Sequence, residues 1–123
     1  MRVLIADDSK PVRRGIAGLL SGDPDLEVCG EAADSSETLQ KVDQLQPDVI
    51  LLDVSMPGMN GLNTAQLLRR SFPSLKIIIT SQHDPQQLRP RALEAGAHGC
   101  VDKARLVTDL VPTLRNLFKN PPS

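Results

Sequence analysis

Apolar and polar positions fall in blocks along this chain. Val3 to Ala6 is a short apolar run that stops at Asp7 and Asp8. Val49 to Leu52 is a second run, ending in Asp53, and the loop-forming residues Pro57, Gly58, Asn60 and Gly61 follow. Continuous apolar runs bounded by turn residues predict strands buried on both faces, as in a parallel sheet. Leu26 to Ala33, centred on Val28 and Cys29, predicts another strand. Leu75 to Thr80, with Ile77, Ile78 and Ile79 in a row, predicts a fourth that ends at Ser81. His98 to Val101 predicts a short fifth, ending in Asp102 and Lys103.

Between these runs the period becomes helical. Val12, Ile16, Leu19 and Leu20 recur at helical spacing, with Arg13 and Arg14 on the other side. Ser9 is the expected N-cap, Pro11 a first-turn proline, and Gly22-Asp23-Pro24 the stop. Ser35 and Ser36 open a helix carrying Leu39, Val42 and Leu45, closed by Pro47. Gly61 to Ser71 carries Leu62, Ala65, Leu67 and Leu68 and ends before Pro73. A fourth helix is expected between Asp84 and Ala95, short or starting late at Pro90. The reason is that an internal proline removes one hydrogen bond and disfavours helical geometry at the residue before it, Arg89. The last helix, Leu106 to Phe118, also contains a proline, Pro112. Strand and helix thus alternate five times, which predicts an α/β fold with a parallel sheet covered on both faces. Right-handed crossovers then restrict the topology sharply.

Length and composition narrow the function. A chain of 123 residues is one domain that buries well over half of its unfolded surface. Its net charge of -1 steers it toward neither nucleic acid nor membrane as a whole. With two Phe and no Trp or Tyr, it has no aromatic platform on which to stack bases. Cys29 and Cys100 sit in apolar contexts without metal-type spacing and read as small core residues in a reducing compartment. The first apolar run is too short for a signal peptide, and no stretch approaches a membrane span. The expectation is a soluble, cytoplasmic chain.

Parallel strands present their carboxyl ends on one edge, where open α/β sheets bind ligands. Asp7, Asp8, Asp53, Ser81 and Lys103 all fall at such ends. Three carboxylates converging there would repel one another without a partner. A hard divalent cation resolves this, and Mg²⁺ suits a few carboxylates completed by waters and phosphate oxygens. A lysine suits a phosphoryl oxygen as a point charge. Asp53, centrally placed, is the candidate nucleophile, because carboxylates can form acyl phosphates. Phosphoryl transfer depends mostly on positioning and charge neutralisation, which this set provides. Singly, each residue also fits a plain role as capping acid, loop serine or solvated lysine.

Together these residues, with Met56-Pro57-Gly58-Met59-Asn60-Gly61 after the third strand, resemble the receiver domain of two-component response regulators. The likeness covers essentially the whole chain. Ala92-Leu93-Glu94-Ala95-Gly96-Ala97-His98-Gly99 looks like the NarL/LuxR-type branch, whose members carry a C-terminal helix-turn-helix DNA-binding domain. The resemblance implies a flavodoxin-like (CheY-like), doubly wound, five-stranded parallel sheet of order 2-1-3-4-5 with five helices. It implies a receiver domain over residues 1–119, with 120–123 as the start of a linker to a C-terminal output domain. It implies that Asp53 accepts a phosphoryl group from a sensor histidine kinase, in a phosphoacceptor module rather than an enzyme acting on external substrates. Asp8 and Asp53 would bind Mg²⁺, with the Ser55 carbonyl as a further ligand and Asp7 holding a metal-bound water. Lys103 would pair with Asp53 or its phosphate, and Ser81 would move toward the phosphate. The implied partners are the kinase, DNA through the output domain, and a second copy of the chain; no membrane is implied.

The sequence departs from the family in places. Cys100 stands where an aromatic residue usually swings inward, and Ala104 follows the lysine where proline is common. Pro90 and Pro112 fall in the helices that form the usual output face, which is expected to be locally reshaped. Ser55 and His83 flank the site and are expected to govern attack by water. Two other classes compete: a Mg²⁺-dependent phosphatase with an Asp nucleophile, and a flavodoxin-like cofactor binder. The first lacks a second acid beside Asp53 and a cap segment. The second lacks a Gly/Ser/Thr-rich phosphate loop and flavin-sandwiching aromatics. A receiver that is never phosphorylated is a further alternative.

Overall fold

A computed structural model describes residues 1–56, 61–82 and 85–119. Pro57 to Asn60 of the loop motif, His83, Asp84 and the expected linker at 120–123 lie outside the described residues. The strands are β1 (Arg2–Ala6), β2 (Glu27–Ala32), β3 (Val49–Asp53), β4 (Lys76–Ser81) and β5 (Gly99–Asp102). The helices are α1 (Lys10–Ser21), α2 (Ser35–Leu45), α3 (Gly61–Ser71), α4 (Pro85–Glu94) and α5 (Leu106–Lys119), with a short 3₁₀ turn at Lys103–Arg105 before the last. All pairings are parallel, in the order β2-β1-β3-β4-β5.

The strand side chains divide between two apolar layers, as period-two geometry requires. Leu4, Ile50, Leu52, Ile77 and Ile79 pack under α2, α3 and α4 against Val42, Ala65, Leu68 and Ala92. Val3, Ile5, Val49, Leu51 and Ile78 pack under α1 and α5 against Ile16, Leu20, Leu110 and Leu114. Every residue of β3 is buried, so the central strand carries the apolar run that the pattern predicts.

Local chemistry sets the helix ends. Ser9 caps α1, its hydroxyl accepting from Val12 N–H, with a proline in the first turn and Gly22 at the end. Asp34 caps α2 by accepting from Glu37 N–H at 2.8 Å. The expectations for α4 and α5 need correction. Helix α4 begins at Pro85, not at Pro90, and both α4 and α5 run continuously through their internal prolines. Both rings face solvent, so neither displaces a packed neighbour. Burial of Leu88 and Ala92 on one helix and of Leu110 and Leu114 on the other offsets the lost hydrogen bond. The surface that these two helices form is therefore not reshaped by broken helices.

Candidate functional site

Register brings the expected residues to one edge. Ala6 pairs with Leu52, so Asp7 follows β1 beside Asp53, the last residue of β3. Asp53 pairs with Thr80, and Ser81, fully buried, pairs with Asp102. Lys103 follows Asp102 directly. Carboxylate oxygens of Asp7, Asp8 and Asp53 lie within 4.8 Å of one another, with Asp7 and Asp53 buried and Asp8 exposed. Lys103 Nζ reaches into the cluster, 2.7 Å from Asp7 Oδ2 and 3.2 Å from Asp53 Oδ2. The ammonium thus bridges two carboxylates and sits nearer to Asp7 than to Asp53.

Backbone donors orient the acids. Ser9 N–H donates to Asp7 Oδ1 at 2.8 Å, and Ser55 N–H donates to Asp53 Oδ1 at 3.1 Å. Ser55 is exposed, at the mouth of β3. Asp7 N–H donates to the Ala32 carbonyl at 3.0 Å, and Val54 N–H to the Thr80 carbonyl at 3.1 Å. Asp7 Oδ2 is buried, with the Lys103 ammonium at 2.7 Å as its compensation.

Burial pushes the Asp53 carboxyl above the usual range. The Ser55 N–H opposes this, the Asp7 charge adds to it, and Lys103 pulls it back. Lys103 moves up. Burial favours its neutral form, but the bond to Asp7 and the two carboxylate charges overcome that effect. The cluster is electrostatically incomplete: three acids face one ammonium. A small, hard divalent cation fits that donor set of oxygens, with Asp8 open to solvent as an entry point.

Two features escape the sequence pattern. Gly61, the first residue of α3, lies so close to the Asp53–Val54 backbone that an added Cβ would fall 2.4 Å from Val54 Cα and 2.7 Å from the Asp53 carbonyl oxygen. Its N–H donates to the Val54 carbonyl at 2.9 Å. Arg13, expected on the solvent side of α1, is instead largely buried and bonded, whereas Arg14 is exposed. Cys100 is buried in the α2–α4 layer, where burial raises its thiol pKa. It also borders a surface cleft of about 290 Å³ together with Leu93, His98 and Leu117.

Residues 3–115 match the family model of the response regulator receiver domain. The chain is 37% identical over 118 residues to the response regulator GacA of Pseudomonas viridiflava, covering 96% of this chain and 55% of that protein. It is 38% identical over 123 residues to the transcriptional regulatory protein LiaR of Bacillus subtilis, covering 99% of this chain and 58% of LiaR. It therefore spans little more than half the length of these relatives. Its fold superposes on a two-component response regulator of the LuxR family from Aurantimonas sp. SI85-9A1 with a TM-score of 0.90, at 29% identity, covering 96% of this chain and 84% of that one.

Proposed function

The chain belongs to the response regulator receiver domain family, in its NarL/LuxR-type branch, and from that premise we propose that Asp53 is its phosphoacceptor. One observation carries the reading: a buried carboxylate at the mouth of the central strand, 3.2 Å from a lysine ammonium and grouped with two further acids. An Asp53 carboxylate oxygen attacks the phosphorus of a kinase phosphohistidine. The O–P bond forms as the N–P bond breaks, and the electron pair of that bond returns to the imidazole. Ser55 N–H holds Asp53 Oδ1 and leaves the second oxygen, Oδ2, toward Lys103. Lys103 meets the charge that the incoming phosphoryl oxygens bring, and the Ser81 hydroxyl at the end of β4 donates to one of them. Asp8, Asp53 and the Ser55 carbonyl would hold Mg²⁺, with Asp7 behind them through water; the ion supplies neutralisation of charge on the transferred group. Hydrolysis of the acyl phosphate restores Asp53, so the chemistry is confined to the chain's own side chain.

The partners follow from this reading: a sensor histidine kinase as donor, and an output segment that binds DNA, in keeping with relatives named as transcriptional regulators. Among the described residues no helix is long and apolar enough to cross a membrane, and a cytoplasmic location agrees with a kinase donor there. The test is acetyl phosphate with Mg²⁺, read by intact mass. One phosphoryl group is expected on the native chain and none on Asp53→Asn or without Mg²⁺. Equal uptake by Asp53→Asn would overturn the assignment.

A further inference from the structure

Arg13 lies in the first turn of α1, its N–H bonded to the carbonyl of the capping Ser9 at 3.0 Å. Its side chain is only 14% exposed and folds back over the β1–α1 turn. There Nη1 donates to the Asp7 carbonyl oxygen at 2.6 Å, while Nε pairs with Glu31 Oε1 at 2.9 Å. Glu31 is itself anchored from α2, where the Lys41 ammonium bonds its carbonyl. The Asp7 carbonyl belongs to the peptide unit that joins Asp7 to Asp8. The guanidinium therefore grips the plane connecting one buried acid to the exposed one, and braces it against the neighbouring strand β2.

We infer that Arg13 is a positioning residue of the acidic cluster: through the Asp7 carbonyl and Glu31 it sets the orientation of the Asp7–Asp8 peptide, and so the divalent-cation affinity of the site. The inference rests on the phosphoacceptor reading in that these acids hold Mg²⁺. Arg13 contributes no ligand oxygen. Two simpler roles make opposite or null predictions. If only its charge mattered, removing a cation from the neighbourhood of three carboxylates, and leaving Glu31 unpaired, would tighten cation binding. If it merely held the fold together, its loss would lower stability equally with and without the ion.

The experiment is denaturant unfolding of the full chain in EDTA and across a MgCl₂ series. The stabilisation added by Mg²⁺ follows RT ln(1 + [Mg²⁺]/Kd) and so reports affinity apart from basal stability. Arg13→Met is expected to weaken Mg²⁺ at least fivefold, which is about 1 kcal/mol less added stability near saturation. Arg13→Lys, with a single ammonium that replaces one bond but not the two-point brace, is expected to fall between. Should Arg13→Met fail to fold, Glu31→Gln loosens the brace while keeping the guanidinium, and about a twofold weakening is expected. An unchanged Mg²⁺ increment, or tighter binding, overturns the inference. If the native chain shows no Mg²⁺ increment, or Asp8→Asn leaves it intact, the metal reading itself fails, and that outcome is distinct from a failure confined to Arg13.

Discussion

Replacing Gly61 with alanine should separate the two roles of the β3–α3 junction. The new Cβ would sit 2.4 Å from Val54 Cα, whereas ordinary contact begins near 3.4 Å, so backbone must part by about 1 Å. Both groups are main chain, at the start of α3 and at the turn after Asp53, so no flexible side chain can yield instead. The displacement also strains the 2.9 Å bond from Gly61 N–H to the Val54 carbonyl. Overpacking of this kind costs about 1–3 kcal/mol. Alanine's advantage in helix propensity belongs to helix interiors and returns little at Gly61, the first residue of α3. For a domain of this length each kcal/mol lowers Tm by about 4 °C, so the expected loss is about 4–12 °C. The same displacement moves Asp53 relative to Lys103. Misplacement of reacting groups by about 1 Å can cost about 100-fold in rate. Circular dichroism melting and the initial rate of phosphoryl uptake from acetyl phosphate read the two effects. A Gly61→Ala chain that melts within about 1 °C of the native one and is phosphorylated at the same rate would refute the close-approach argument.

Two other perturbations test the charges. Lys103→Met leaves the buried Asp7 and Asp53 carboxylates without their cation, so the metal-free chain should lose about 3 kcal/mol in denaturant unfolding, and Mg²⁺ should recover part of it; equal stability in EDTA would show that the ammonium is dispensable. His98 Nδ1 accepts from Ile77 N–H at 3.1 Å, and burial, with Lys76 and Arg69 assisting, holds its pKa below 6.5. Its contribution to stability is complete above pH 6.5 and falls away as pH drops through the lower folded value, because only the unfolded chain takes the proton readily. The difference in unfolding free energy between the native chain and His98→Asn, measured against pH, isolates this histidine from His83; a difference that does not shrink on acidification would contradict the bond.

Much of the fold was legible because apolar runs ending in polar residues are a strong one-dimensional signal. Val49 to Leu52 followed by Asp53 marks a strand buried on both faces and its charged carboxyl end. The cluster was legible for the same reason: Asp7, Asp53 and Lys103 each terminate such a run, and parallel order sends all three to one edge. Helical periodicity puts Arg13 opposite the apolar side of α1, because it records only which side of the axis a residue occupies. It cannot show that a long side chain bends back across the preceding turn. The role of Gly61 was hidden because close approach of two backbones leaves no trace in polarity. Pro90 argues for a late helix start because propensity is local, while burial of Leu88 and Ala92 is tertiary and prevails. The closer pairing of Lys103 with Asp7 than with Asp53 depends on side-chain reach, which no spacing rule fixes.

The central strand has consequences for how a signal leaves the site. β3 is paired on both sides, with β1 and β4, and buried throughout, so Asp53 ends a strand held from every direction. Lys103, by contrast, hangs from β5, a rim strand with a neighbour on one side only. On the phosphoacceptor reading proposed above, charge arriving at Asp53 meets a strand held on both flanks, and the edge strand that carries Lys103 is the freer one to shift.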